Sequence, residues 1–277
     1  MINFGFIGFG SMTKMLIHGL IEHSKVSPSN IFVTRRDKSR LNEINEAFND
    51  VHVLNTCLEV AKSVHIIFIC VKPAEIKRVL SEIAPSVTSD HHIISLAGTV
   101  SMDNLQSIIH GKVSKLIPSI TSEIGCGISL VCHNEYVTED DTALFEKFIK
   151  PFGNVKYVDD CDIGFAAELT SCAPGFIASI SSHFANAALR HTSSFGSDEI
   201  NEMIKITLYG TSKLLLETEM SFEQIVARVA TKGGITQEGV MVFDDALPQV
   251  FNNMFEKTLS KRRIVEEKID IDFHNKA

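Results

Sequence analysis

The stretch Phe4-Gly5-Phe6-Ile7-Gly8-Phe9-Gly10-Ser11-Met12-Thr13 decides how the chain is read. A short apolar run meets two glycines spaced G-x-G, and residues able to open a helix follow. A strand, turn and helix in this order bind a pyrophosphate. The first glycine makes the tight turn, the second admits phosphates to the backbone, and the helix start supplies unpaired N–H groups with a partial positive charge. Gly8 and Gly10 fit the two glycine roles, with Ser11 and Met12 in the first turn of the helix. The third position of G-x-G-x-x-G holds Thr13, which predicts a helix set slightly farther from the strand.

Outward from this turn, β-rich runs alternate with amphipathic stretches of roughly ten residues, the βαβ rhythm of a parallel sheet covered by helices. Strands are predicted at 3–7, 30–34, 52–54, 66–71, 93–96 and 113–117. The run Ile66-Ile67-Phe68-Ile69-Cys70-Val71 is apolar throughout, as a central strand buried on both faces would be. Segments 127–132 and 154–158 could add outer strands around a helix at 139–149. After residue 160 the strand signals stop. Residues 163–189 read as a helix apolar on most sides, kinked at Pro174. Further helices are predicted at 197–219, 222–230, 236–246 and 248–267. The expected organisation is an α/β dinucleotide-binding domain at 1–160 and an all-α domain at 161–277.

Composition narrows the function. The net charge of −8 argues against general nucleic-acid binding. Six cysteines without a C-x-x-C pair, in a chain of 277 residues, point to a reducing cytoplasm rather than a disulfide framework. No apolar run approaches the ~18 residues of a membrane span, and no metal-ligand spacing occurs among the eleven histidines. Within this acidic chain Arg35, Arg36, Lys38 and Arg40 form a basic island around Asp37, either a small-anion site or a solvated helix start. It lies about 25 residues beyond the glycines, at the end of the second strand. There an acidic residue would hold the ribose 2′-hydroxyl of NAD, whereas arginines accommodate the 2′-phosphate of NADP. Thr34, Arg35 and Arg36 therefore select NADPH as the expected cofactor over NADH.

A second glycine signal occurs in the helical half: Arg228-Val229-Ala230-Thr231-Lys232-Gly233-Gly234-Ile235-Thr236-Gln237-Glu238-Gly239. With this segment, Gly8-Phe9-Gly10-Ser11-Met12, Val71-Lys72-Pro73, Ala173-Pro174 and the run from Thr207 to Glu217, the chain resembles the pyrroline-5-carboxylate reductase family over nearly its whole length. The resemblance implies a Rossmann domain followed by a helical domain that dimerises. It also implies an NAD(P)H-dependent reduction of the C=N bond of 1-pyrroline-5-carboxylate to L-proline. Carried over by position, Gly8, Gly10, Ser11 and Met12 would meet the phosphates. Thr34, Arg35 and Arg36 would face the 2′-phosphate, and Asn55 the adenosine ribose. Val71, Lys72, Pro73 and Ala97 would line the approach to the nicotinamide. The substrate carboxylate would lie against Lys232, Gly233, Gly234, Ile235 and Thr236, with Asp160 near it. Thr236 is the candidate catalytic residue: it starts a helix whose first N–H groups lack partners, and its hydroxyl adds one more donor. The same turn also reads as a plain helix cap.

Three segments depart from the family pattern. Ser119 and Thr121 stand where an asparagine and a second proline are usual, Leu96-Ala97-Gly98-Thr99 replaces I-A-A-G, and Cys172 and Ala173 bring bulk near Pro174. They leave room for two alternatives, a related imine or keto-acid reductase and a nucleotide-binding paralogue without turnover. The apolar first helix of the second half calls for burial against another copy, giving a homodimer or an oligomer of dimers.

Overall fold

A computed structural model describes residues 2–275. Eight strands form one sheet in the order β3-β2-β1-β4-β5-β6-β7-β8. They are β1 (Phe4–Ile7), β2 (Ile31–Thr34), β3 (His52–Val53), β4 (Ile66–Ile69), β5 (His92–Ser95), β6 (Lys112–Ile117), β7 (Gly127–His133) and β8 (Gly153–Tyr157). The first six run parallel. β7 pairs antiparallel with β6 and parallel with β8, so the two outer strands reverse direction. The α/β class expected from the sequence holds, and the reversal is its one amendment.

Alternation along the strands builds two cores. Phe4, Phe6, Phe68 and Ile94 point to one face, where they meet Leu16, Ile17 and Leu20 of α1 (Ser11–Glu22) and Phe145 and Ile149 of α6 (Glu139–Ile149). Ile7, Ile67, Ile69 and Ile93 point to the other, against Val60 of α3 (Cys57–Ser63) and Ile76, Val79 and Leu80 of α4 (Pro73–Ile83). Helices α2 (Asn42–Ala47) and α5 (Met102–Gln106) complete this half. Burial on both sides is why the central strands read as unbroken apolar runs.

Helices follow β8. α7 (Ile163–Ala167) passes through a π turn at Glu168–Cys172 into α8 (Ala173–Ala188). The disturbance expected at Pro174 takes the form of this π turn. Proline has no N–H for the carbonyl four residues back, that of Thr170, and the Ser119 hydroxyl donates to it instead at 3.0 Å. α9 (Ser197–Thr218) and α10 (Phe222–Val229) come next, then α11 (Ile235–His274), a single helix of 40 residues. Two helices were expected here, broken before Pro248. Instead α11 continues through the proline, and its far end is held by burial of Ile269, with Val265 and Phe273 beside it, in the second core.

By contacts the chain forms two compact units, residues 1–174 with 261–277, and residues 175–260. Among the described residues, the helix from Asp160 to His191 is long and apolar enough to cross a membrane by length and composition alone. Serines and threonines interrupt its apolar runs, and one side of its first turns packs inside the protein, with Ile163 and Ala167 buried beside Ile117 and Leu130 while Phe165 and Leu169 are exposed.

Candidate functional site

Strands β1, β2 and β4 end in register, with Ile7 beside both Thr34 and Ile69. The strand order reverses between β1 and β4, and crevices for ligands open at such switch points, beyond the carboxyl ends of the strands. At Gly8 the chain turns with φ +109°, its N–H donating to the Thr34 carbonyl at 2.9 Å. A Cβ there would sit 2.4 Å from the Cys70 carbonyl oxygen, so the protein's own packing demands glycine. Gly10 is different. Its backbone is extended, and an added Cβ would meet no protein atom within 4 Å. The missing side chain there leaves a cradle that a Cβ would fill, which is what a phosphate approaching the backbone requires.

No side chain caps α1, and its first internal bond runs from the Lys14 N–H to the Gly10 carbonyl. The N–H groups of Ser11, Met12 and Thr13 thus have no partner within the helix. Thr13 is buried, and its hydroxyl donates to the Gly8 carbonyl at 3.0 Å, locking the turn in place of a third glycine.

Beside this turn lies a cavity of about 210 Å³ whose walls include Gly8, Thr34, Arg35, Arg36, Lys38, Asn55 and Val71. The Thr34 hydroxyl is buried and has no hydrogen-bond partner among the described residues. Arg35 is largely buried and donates to Glu43 at 2.8 Å and to the Arg40 carbonyl. Hydrogen bonds from Arg40 and Arg35 hold the Glu43 carboxyl below its ordinary range. Arg36 is mostly exposed and pairs with Glu75 in the first turn of α4. Lys38 bonds the carbonyls of Arg35 and Asn55. Lys72 caps α4 and Pro73 opens it, while Ala97 is buried past β5 with its N–H on the Ser95 hydroxyl.

The second glycine turn lies in the other unit and is largely exposed. Gly233 has φ +76°, and its N–H donates to the Gln237 side chain at 2.6 Å. The Gly234 N–H donates to the Thr231 carbonyl at 2.9 Å. The turn therefore satisfies two of its own donors, leaving the N–H groups of Ile235 and Thr236 at the start of α11. Asp160 lies in the first unit with both oxygens engaged, one with the buried Lys115 ammonium at 2.6 Å, the other with the Met102 N–H at 2.8 Å. Ser119 is buried, its hydroxyl donating to Thr170 and accepting from Thr121 at 3.0 Å.

Sequence reasoning left Cys57, Arg78 and Glu82 off this cavity's wall. Arg78 and Glu82 are paired one helical turn apart, a spacing that signals only a solvated helix face. Their place on the wall follows from the strand order, which sets α4 beside the end of β1. Burial first, then the neighbouring Glu82, pushes the Cys57 thiol up to about 11.

A sheet with a G-x-G turn at its switch point, an uncapped helix start and a basic cavity define a dinucleotide-dependent oxidoreductase. The chain belongs to the pyrroline-5-carboxylate reductase family. Residues 161–264 match the family model described as pyrroline-5-carboxylate reductase dimerisation, and residues 3–98 match that described as NADP oxidoreductase coenzyme F420-dependent. Pyrroline-5-carboxylate reductase 3 of Bacillus subtilis is 35% identical over 96% of this chain and 97% of its own length. ComE operon protein 4 of the same organism is 30% identical over 93% and 94%. Among solved structures, the pyrroline carboxylate reductase of Plasmodium falciparum with NADP bound shares the fold, with a TM-score of 0.81, 20% identity and 97% of each chain covered.

Proposed function

We propose that the protein is an NADPH-dependent pyrroline-5-carboxylate reductase that forms L-proline. The observation that carries this reading is the Gly8–Met12 turn, with its open Gly10 cradle and uncapped helix, in a chain that also bears the Lys232-Gly233-Gly234-Ile235-Thr236 turn. The N–H groups of Gly10, Ser11 and Met12 hold the pyrophosphate, and Gly8 lets the strand turn into them. Thr34, Arg35 and Arg36 receive the 2′-phosphate, with the unpartnered Thr34 hydroxyl as a ready donor. Asn55 borders the ribose, and Val71, Lys72, Pro73 and Ala97 border the nicotinamide. When bound, NADPH supplies a hydride from its nicotinamide ring.

The chain's remaining task is to orient a cyclic imine. The N–H groups of Ile235 and Thr236, the Thr236 hydroxyl and the Lys232 charge hold the substrate carboxylate, while Gly233 and Gly234 shape the turn. Asp160, tied to Lys115 and to the start of α5, fixes a loop bordering the substrate. A protonated imine accepts hydride readily, so holding it near the donor in a dry pocket is the main catalytic demand. The protein works in the cytoplasm as a homodimer, which covers the apolar side chains that residues 175–260 leave exposed.

The test is oxidation of NADPH on addition of pyrroline-5-carboxylate. Thr236→Ala removes a hydrogen bond to a charged group, worth about 1.5–3 kcal/mol. KM should rise about tenfold or more, with a smaller change in kcat. An unchanged KM would remove Thr236 from the carboxylate site. A second reading, nucleotide binding without turnover, draws on Ser119, whose hydroxyl is spent on Thr170 rather than offered to a substrate. Tight NADPH binding with no turnover on any cyclic imine would favour it.

A further inference from the structure

We infer that Glu75 tunes the preference for 2′-phosphorylated nucleotides by competing for Arg36, an inference that rests on the cofactor reading above. Every cation on the wall of the cavity already has an acceptor inside the protein. Arg35 has Glu43, Arg78 has Glu82, Lys38 has two carbonyls and Arg36 has Glu75. These pairings differ in how firmly they are held. The Arg35 side chain is only 12% exposed and also bonds the Arg40 carbonyl, so its position is fixed by the β2–α2 segment. Arg36 is 76% exposed and, among the described residues, has Glu75 as its acceptor. It is the cation most easily redirected.

Glu75 is placed to exert a steady pull. It sits in the first turn of α4, two residues after Pro73, where the helix start favours a negative charge. Its side chain is 23% exposed, and its N–H donates to the Lys72 carbonyl at 2.8 Å, which fixes its backbone. The pair ties Arg36, on the cavity wall after β2, to the head of α4, whose next turns supply Arg78, Val79 and Glu82 to the same wall. A phosphate on the ribose must draw the guanidinium from this carboxylate and tolerate the carboxylate's charge nearby. A ribose carrying a hydroxyl does neither. Glu75 therefore lowers affinity for the phosphorylated nucleotide selectively, and its neutralisation raises it.

The experiment is titration calorimetry of NADP⁺ and NAD⁺ with the full chain, its Glu75→Gln and Arg36→Ala variants, and the double variant. Exposed ion pairs contribute about 0.2–1 kcal/mol. Glu75→Gln should therefore tighten NADP⁺ by up to about fivefold at low salt and leave NAD⁺ unchanged. In the Arg36→Ala background the same substitution should give a smaller selective gain, from relief of charge repulsion alone. Arg36→Ala with undiminished NADP⁺ affinity would overturn the placement of the 2′-phosphate, and this inference with it. A loss on Arg36→Ala without a selective gain on Glu75→Gln would overturn the role of Glu75 alone. Matching thermal unfolding of the four proteins would show that the changes report binding, not folding.

Discussion

The two units of the chain bury their apolar side chains to very different extents. In residues 1–174 with 261–277, three clusters of buried side chains fill both faces of the sheet, down to the stacked rings of Phe6 and Phe68, 4.8 Å apart. In residues 175–260, Ala185 and Ile200 are the buried hydrophobic residues, while Phe184, Ile206, Tyr209, Leu216 and Phe222 are exposed. An α/β layer closes its core within one chain because helices cover both sides of the sheet. Helices with apolar residues on several faces have nothing comparable within the same unit. One unit is self-sufficient, and the other is half of a core.

The largest test breaks this contrast from both sides. Phe68→Ala should lower the stability of the first unit by about 3–5 kcal/mol, because a buried ring is lost and a cavity remains. The effect should not depend on protein concentration. Phe184→Glu, at a position 59% exposed in the chain, should barely change the first unit. It should instead weaken self-association by at least about 2 kcal/mol, roughly thirtyfold in Kd. Thermal unfolding and light scattering over a concentration series separate the two outcomes. A Phe184→Glu protein that remains fully associated would show that this face is not the missing half of a core.

Legibility in the sequence followed the same division. β4 and α6 could be read directly, the first as Ile66-Ile67-Phe68-Ile69, the second as a helix at 139–149, whose start the structure shows fixed by hydrogen bonds exchanged between Thr138 and Asp141. The Gly8 and Gly10 turn was legible because its requirements are local to a few residues. α11 was not. Pro248 is a strong local stop signal, but what continues the helix is distant, the burial of Ile269 against strands more than 150 residues earlier. Nor could Arg78 or Glu82 be tied to the cavity beside Gly8, because their positions depend on the order of strands in the sheet. Local chemistry is written in neighbouring residues. Chemistry assembled by topology appears only once the sheet is built.

A smaller effect sharpens the contrast through pH. His92 is buried on β5, with its Nε2 2.6 Å from the Ser114 hydroxyl. Burial, aided by the neighbouring His133, lowers its pKa from 6.5 to about 4. The native imidazole stays neutral while the unfolded one gains a proton, so the unfolded state binds more protons between these values. Stability of the first unit is therefore complete above pH 6.5 and is lost as pH falls toward 4, by on the order of 3 kcal/mol. Denaturant unfolding across this range should show that slope at every protein concentration, and His92→Gln should flatten it. An unchanged slope in the variant would assign the acid sensitivity to other groups.

The smallest effect concerns the place where the self-sufficient unit is itself unfinished. Thr34 is buried at the end of β2, its carbonyl accepts from Gly8, and its hydroxyl has no partner among the described residues. A buried hydroxyl without a hydrogen bond costs stability, so Thr34→Val should leave the free protein unchanged or more stable by up to about 1 kcal/mol. The same change should weaken NADP⁺ binding several-fold, because the methyl group cannot donate to a phosphate oxygen. Opposite signs in the two measurements would mark Thr34 as a group whose partner is the ligand, as the exposed phenylalanines of the other unit await a second chain. Equal loss of stability and binding would instead make the hydroxyl a structural element of the β2 end. Calorimetric binding and thermal unfolding on one variant decide between them.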